Sequence, residues 1–375
     1  MTGNEQIKSM FYGRSGYRDL PMSCDLYWWH EGLAHENKLP EEIREKPIFD
    51  IHRMIGSIPW HKLDCVNIIY DQSVKIDVQT KMNGIIRDVR TTITTPAGSL
   101  TGRYTRSETL GHRDMIEQYV KTPDDLKIAQ YLWDAFERIE PATGPVEAAE
   151  KMIGEQGVIW LCGIRNPLNV FFRELVGFEQ FIFLLSDYPA IVRRLFDTIE
   201  RATVEMARAV AAAGWKSWLV MLADCIDASL MSPPIFKEFC IPHYQRIIDI
   251  LHAGGKKVII HTDGYIRPLL DLLPQTHADG IEAVTPKPQG DVTLEEVRDA
   301  LPEQMTVWGG IPSSILAEGM PDDEEFADFI TRTAVYAKAN QKIILGIGDM
   351  AVPSEMVWNR LKLIHSVLHK VNGQA

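Results

Sequence analysis

The sequence predicts an α/β protein, a (β/α)8 TIM barrel built as a single domain over residues 1–375. Three observations lead there. Eight short β-rich apolar runs recur along the chain, helix signals fill most of the gaps between them, and no Gly-rich phosphate turn follows the first run. An open doubly wound sheet, the structural alternative, would more often carry such a turn.

The runs lie at 24–28, 65–70, 158–162, 218–223, 257–260, 280–284, 305–308 and 342–345. They are apolar without clean alternation, as expected of parallel strands buried on both faces. Between them, Asp187-Tyr188-Pro189 opens a helix running to Ala213, and Ser232-Pro233-Pro234 opens another that stops at Gly254-Gly255. Thr293 with Glu296 forms a capping box, and Asp322 to Glu325 places acidic groups in a first helical turn, where they suit the dipole. One stretch breaks the alternation. Residues 73–106 carry strand patterns joined by Asn83-Gly84 and by Pro96-Ala97-Gly98, which predicts an antiparallel β-meander inserted after the second strand. An insertion there lies on the catalytic face, as a lid or as a cover of the barrel mouth.

A net charge of -12 argues against nucleic acid as the main partner, since phosphate binding needs a concentrated basic face. No apolar stretch approaches a membrane span, and the N-terminus carries no signal core. The five cysteines, Cys24, Cys65, Cys162, Cys225 and Cys240, are widely spaced and odd in number, which reads as reduced thiols in the cytoplasm.

In such a barrel, chemistry sits where strands end. The fourth run ends in Asp224-Cys225 and the fifth in His261-Thr262-Asp263-Gly264; the sixth carries Glu282 and the eighth leads to Asp349. Each has a bland reading as a cap or a core polar group. Together they are harder to explain, because clustered carboxylates repel and desolvation is costly. A divalent ion held by His261, Asp263 and Glu282 is the physical proposal, with Asp349 and Asp224 completing or orienting the set. Cys162 and Cys225 fall near the same rim, so a site including sulfur is open, although a lone strand-end Cys is usually packing. Tyr27 and Trp28 form either an aromatic wall for a flat ligand or a hydrophobic plug. Arg165 and Trp308, after the third and seventh runs, are the other candidate substrate contacts. Trp60-His61 reads as packing.

The second half resembles the uroporphyrinogen decarboxylase superfamily, which includes methyltransferases of corrinoid-dependent methyl transfer. The residues that carry this are Asp224-Cys225-Ile226-Asp227, Met231 to Phe239, Pro242-His243-Tyr244, His261 to Gly264, Gly309 to Pro312 and Leu345 to Asp349. Residues 96–100 and 120–126 look like the methyltransferase-type members. True decarboxylases of the family have an Arg-rich N-terminal pattern, of which Gly13 to Arg18 is a faint echo, and a His where this chain has Ile347. The corrinoid methyltransferases bind zinc through His-x-Cys and a later Cys; this chain keeps His261 but has Asp263 and Ile347 at the two Cys positions. The resemblance therefore implies a demethylase component. It would move a methyl group from a small O- or N-methylated compound, such as a methoxylated aromatic, to a corrinoid (cobalamin) on a partner protein, with zinc as the candidate metal. A decarboxylase or other lyase acting on a small acid is the alternative. Family members are often homodimers.

Overall fold

The computed structural model describes residues 1–13, 19–84, 86–107, 113–317 and 321–373. Seven parallel strands form one sheet in chain order: β1 (Trp60–Asp64), β2 (Val158–Cys162), β3 (Leu219–Ile226), β4 (Lys257–Thr262), β5 (Gly280–Val284), β6 (Thr306–Pro312) and β7 (Ile343–Gly348). The two outer strands approach each other through the N-terminal segment. Met22 makes a parallel bridge to Leu345 on β7 and another to Ser57, just before β1. Its neighbours complete the link: Ser23 N donates to Leu345 O at 2.8 Å, and Ile58 N to Met22 O at 2.7 Å. The architecture is TIM-barrel-like, with helices packed outside the sheet.

Two predicted runs are corrected. The run at 24–28 forms no strand: only Met22, just before it, bridges to the sheet, and the Asp25 carboxylate accepts from Tyr27 N at 3.0 Å where the helix Tyr27–His35 begins. The run at 65–70 leaves the parallel sheet: Val66–Tyr70 pairs antiparallel with Phe136–Pro141. The parallel strand at that place is β1, which pairs with β2 in register from Trp60 opposite Val158. Lys62 and Asp64 interrupt its apolar pattern, so it does not read as a buried run. Four further strands, Lys75–Asn83, Ile86–Thr95, Gly98–Ser107 and Arg113–Glu117, pair antiparallel in sequence order. One face of this sheet buries Val89, Ile93 and Leu100. The helix Pro123–Asp134 contacts its two central strands and starts at a Thr122–Asp125 capping box. The expected box at Thr293 likewise opens the helix Leu294–Ala300, and Asp322 caps Asp323–Ala339, whose first turn is acidic as expected.

Period-two alternation splits the core into two layers. Outward residues such as Ile159, Leu161, Val220, Leu222, Ile260 and Val307 pack against the helices. Inward residues form a separate cluster containing Trp60, Trp160, Met221, Ile259, Trp308 and Ile344. Trp60 stacks on Trp160 with centroids 4.0 Å apart, and Trp308 meets Trp160 edge-on at 5.2 Å. Helix Gly3–Tyr12 closes this end, placing Phe11 5.4 Å from Trp218. The aromatic layer fills the N-terminal half of the interior and leaves the polar inward positions to the C-terminal half. Among the described residues, no helix is long and apolar enough to cross a membrane.

Candidate functional site

Following the inward positions from the tryptophan layer toward the strand C-termini gives a sharp change of chemistry. On β1, Trp60 leads to Lys62 and Asp64; on β3, Met221 leads to Ala223 and Cys225; on β4, Ile259 leads to His261. Glu282 is the register partner of His261 on β5. In-register neighbours on parallel strands present side chains to the same face, and here the imidazole Nδ1 lies 2.6 Å from the Glu282 carboxylate. Thr262 faces the other way and donates its hydroxyl to Glu282 O at 2.8 Å, which locks the register.

His261 Nε2 faces a different set of groups. It lies 3.6 Å from Asp263 Oδ1. Ligand atoms of Cys225, His261 and Asp263 all fall within 4.8 Å of one another. Arg173 donates to the Cys225 sulfur, setting a cation beside it. Burial opposes charge on His261, but the Glu282 carboxylate and hydrogen bonds to Asp263, Cys225 and Glu282 outweigh it and raise its pKa well above the ordinary value. Burial also opposes ionisation of Asp263, yet the His261 hydrogen bond and charge win and hold its carboxyl below the usual range.

The remaining predicted residues divide. Asp349 belongs to the cluster: burial raises its carboxyl, with Asp263 adding to the effect, and its φ of 65° is a left-handed conformation uncommon for a residue other than glycine. Glu282 is part of the site but sits on Nδ1, away from Cys225 and Asp263, so the donor trio contains Cys225 where the sequence suggested Glu282. Asp224 points outward. It is fully buried, accepts from Asn166 N at 3.0 Å and from the Tyr244 hydroxyl at 3.0 Å, and ties the loop after β2 to β3. Trp308 is 2 % exposed and donates its indole N–H to Ser23 O at 3.0 Å, so it is interior packing and not a pocket wall. Tyr27 donates its hydroxyl to Trp60 O at 2.8 Å and lies on the same helix as half-buried Trp28. Arg165 pairs with Glu174 at 3.4 Å and donates to Ala223 O, bracing β3 beside the mouth. Of the Gly13 to Arg18 segment, residues 14–18 lie outside the described residues.

Sequence reading missed Asp25 and Lys62. Met22 and Cys24 pack outward, so Ser23 and Asp25 face inward. Burial pushes the Asp25 carboxyl up to about 6; Lys62 and the Tyr27 backbone N–H counter this, while Glu282 and Asp349 reinforce it. Alternation from Met22 and from Trp60 was the available signal. The backbone near the mouth is also tightly drawn: Ala283 has a φ of 59°, and a Cβ at Gly309 would lie 2.4 Å from Val284 O.

The mouth thus gathers an imidazole braced by a carboxylate, a thiol, an ionised Asp and two carboxyls held toward their neutral form. Such an array can bind a cation or move protons. Comparisons with known proteins give it a family. The model of the family described as Uroporphyrinogen decarboxylase (URO-D) matches residues 114–355, which include β2 to β7 and all of these groups except Asp25 and those on β1. A curated uroporphyrinogen decarboxylase of Myxococcus xanthus (strain DK1622) is 28% identical over 142 residues, covering 36% of this chain and 40% of that protein. A solved methyltransferase from Methanosarcina mazei has the same fold over 99% of both chains, with a TM-score of 0.60 at 13% sequence identity. Matched over more than half its length by the family model, this chain belongs to the uroporphyrinogen decarboxylase superfamily.

Proposed function

We propose that the protein is a methyltransferase that moves a methyl group from a small O- or N-methylated compound, such as a methoxylated aromatic, to a corrinoid carried by a partner protein. The observation that carries this reading is the Cys225, His261 and Asp263 donor trio, with Glu282 on the far nitrogen of the histidine. Sulfur, nitrogen and oxygen donors at these separations suit zinc, and three protein ligands leave a position for substrate. A zinc ion held there would act as a Lewis acid on the heteroatom that gives up the methyl group. Glu282 fixes the ring orientation through Nδ1, and Arg173 sets its guanidinium beside the sulfur. Asp25 and Asp349, both held toward the protonated form, are positioned to supply the proton that a departing oxygen or nitrogen takes up. Tyr27 and Trp28 flank the substrate side.

In the same reading the fold is a (β/α)8 barrel whose first strand is shortened to the link at Met22, and the antiparallel sheet is an insertion beside the mouth. Support for the latter is the bond from Val120 N to Leu175 O at 2.8 Å, next to Arg173 and Glu174. Five unpaired cysteines fit a reducing cytoplasm.

A decarboxylase or lyase acting on a small acid is the second reading. The Asp25 carboxyl at about 6, with the cationic Lys62 among the charges acting on it, favours it, since that pair would serve acid–base chemistry on an anion without metal. Ile347 counts against the tetrapyrrole version: it is 3 % exposed in β7 and brings no polar group to the mouth. Incubation with methylated donors and cob(I)alamin, followed by absorbance, decides between them. Methylation of the corrinoid is expected; its absence together with carbon dioxide release from a small acid would overturn the proposal.

A further inference from the structure

The antiparallel sheet ends in a strand that nothing among the described residues covers. Lys75–Asn83 is the outermost strand of its sheet, and all nine residues are exposed. Its partner strand buries the shared apolar face, with Val89 at 2% and Ile93 at 9% exposure. The register sets Ile93 beside Ile76, Thr91 beside Val78 and Val89 beside Thr80. The face therefore continues onto the outer strand, where Ile76, Val78 and Met82 are 50%, 55% and 50% exposed. An open edge with apolar side chains is what soluble proteins normally blunt, unless another strand pairs with it.

The strand's own sequence says which one. Read antiparallel to itself about Gln79, it places Ile76 opposite Met82, Val78 opposite Thr80, and Asp77 opposite Lys81. A two-fold axis repeats each of these pairs. The apolar pairs fall on the face already buried on the neighbouring strand, and the opposite charges meet on the other face. Shifting the register by two residues in either direction loses the Asp77–Lys81 match.

We propose that this strand is a dimerisation edge: two copies of the chain join their Lys75–Asn83 strands antiparallel about Gln79, making one continuous eight-stranded sheet. The interface is isologous and closes after two copies, as a two-fold contact must. Directly opposed charges and apolar pairs provide the specificity.

Sedimentation velocity on the full chain tests this by charge reversal. Wild-type protein is expected to be dimeric at micromolar concentration. Asp77→Lys sets lysine against Lys81 at both symmetric positions, and Lys81→Asp sets aspartate against Asp77; each variant alone should weaken the dimer about tenfold or more. Mixing the two variants restores both opposite-charge pairs and should restore the dimer as a heterodimer. Val78→Asp, at an exposed position, should also dissociate it, and circular dichroism confirms that each variant is folded. A monomeric wild type, single variants as dimeric as wild type, or folded variants that stay monomeric when mixed would each overturn the proposal.

Discussion

Glu282 lies 2.6 Å from Nδ1 of His261 because the two residues are register partners on adjacent parallel strands. The carboxylate thus occupies one nitrogen and reserves the other for Cys225 and Asp263. His261→Ala should lower turnover at least about a hundredfold, the scale of a lost acid–base or ligand group, with an unchanged far-ultraviolet circular dichroism spectrum. Glu282→Gln keeps the hydrogen bond but removes the charge. If the metal reading holds, it should weaken zinc binding by about 10- to 100-fold, read by chelator competition. Equal zinc affinity in wild type and Glu282→Gln would separate the carboxylate from any metal role.

Cys225→Ser distinguishes a sulfur ligand from a packing thiol. Purified wild-type protein should contain zinc by elemental analysis, and the variant should lose it while melting within a few degrees of wild type. Cys162 is the internal control. It is 6 % exposed, and burial pushes its thiol up to about 12, so Cys162→Ser should leave zinc content unchanged.

Asp25→Asn should trade activity against stability. The native carboxyl titrates near 6, above the 3.8 of an ordinary aspartate, so folding takes up a proton between those values. Stability therefore falls as pH rises through that window, and above it the buried carboxylate is a standing cost. Each pH unit of the window is worth about 1.4 kcal/mol, so the variant should gain at most about 3 kcal/mol at neutral pH. Its pH–rate profile should lose the inflection near 6. Chemical denaturation and steady-state kinetics on the same samples measure both.

His52 makes the opposite pH signature. It is fully buried beside the Ser57 hydroxyl at 3.0 Å, and burial, with His30 adding to it, lowers its pKa to about 3. Between about 3 and 6.5 the unfolded chain binds a proton that the native ring does not. Its contribution to stability should therefore fall as pH drops through that range, by about 1.4 kcal/mol for each pH unit. His52→Gln should flatten the pH dependence of the urea midpoint there; an unaltered slope would show that His52 is not the titrating group.

Much of this was legible in the sequence. The strands at 158–162 and 280–284 stand where apolar runs predicted them, and the capping box at Thr293 opens its helix. Burial on both faces makes such strands uniformly apolar, and that pattern needs no tertiary information. β1 was illegible for the same reason inverted: Lys62 and Asp64 face the barrel mouth, so the strand does not look buried. Reading only where runs stop also hid Asp25 and assigned Asp224 to the site. The informative quantity was parity. Counting by twos from the inward Met221 reaches Cys225 on β3 and skips Asp224, whose carboxylate is spent on Asn166 and Tyr244. The pairing of Glu282 with one particular nitrogen of His261 depends on inter-strand register, which no local pattern encodes.

The link at Met22 has a consequence for how the molecule moves. The other junctions of the parallel sheet are ladders of two or more register partners, whereas on either side of Met22 the hoop is joined by a single bridge. This is its thinnest seam, and amide exchange should open there before it opens in β4 or β5. Asp25 lies three residues beyond that bridge and faces the mouth. Any loosening of the seam therefore displaces one wall of the reaction chamber while leaving His261 and Glu282 on their strands. In the proposed reaction, access for substrate and the resting place of a proton would be governed by the same short piece of chain.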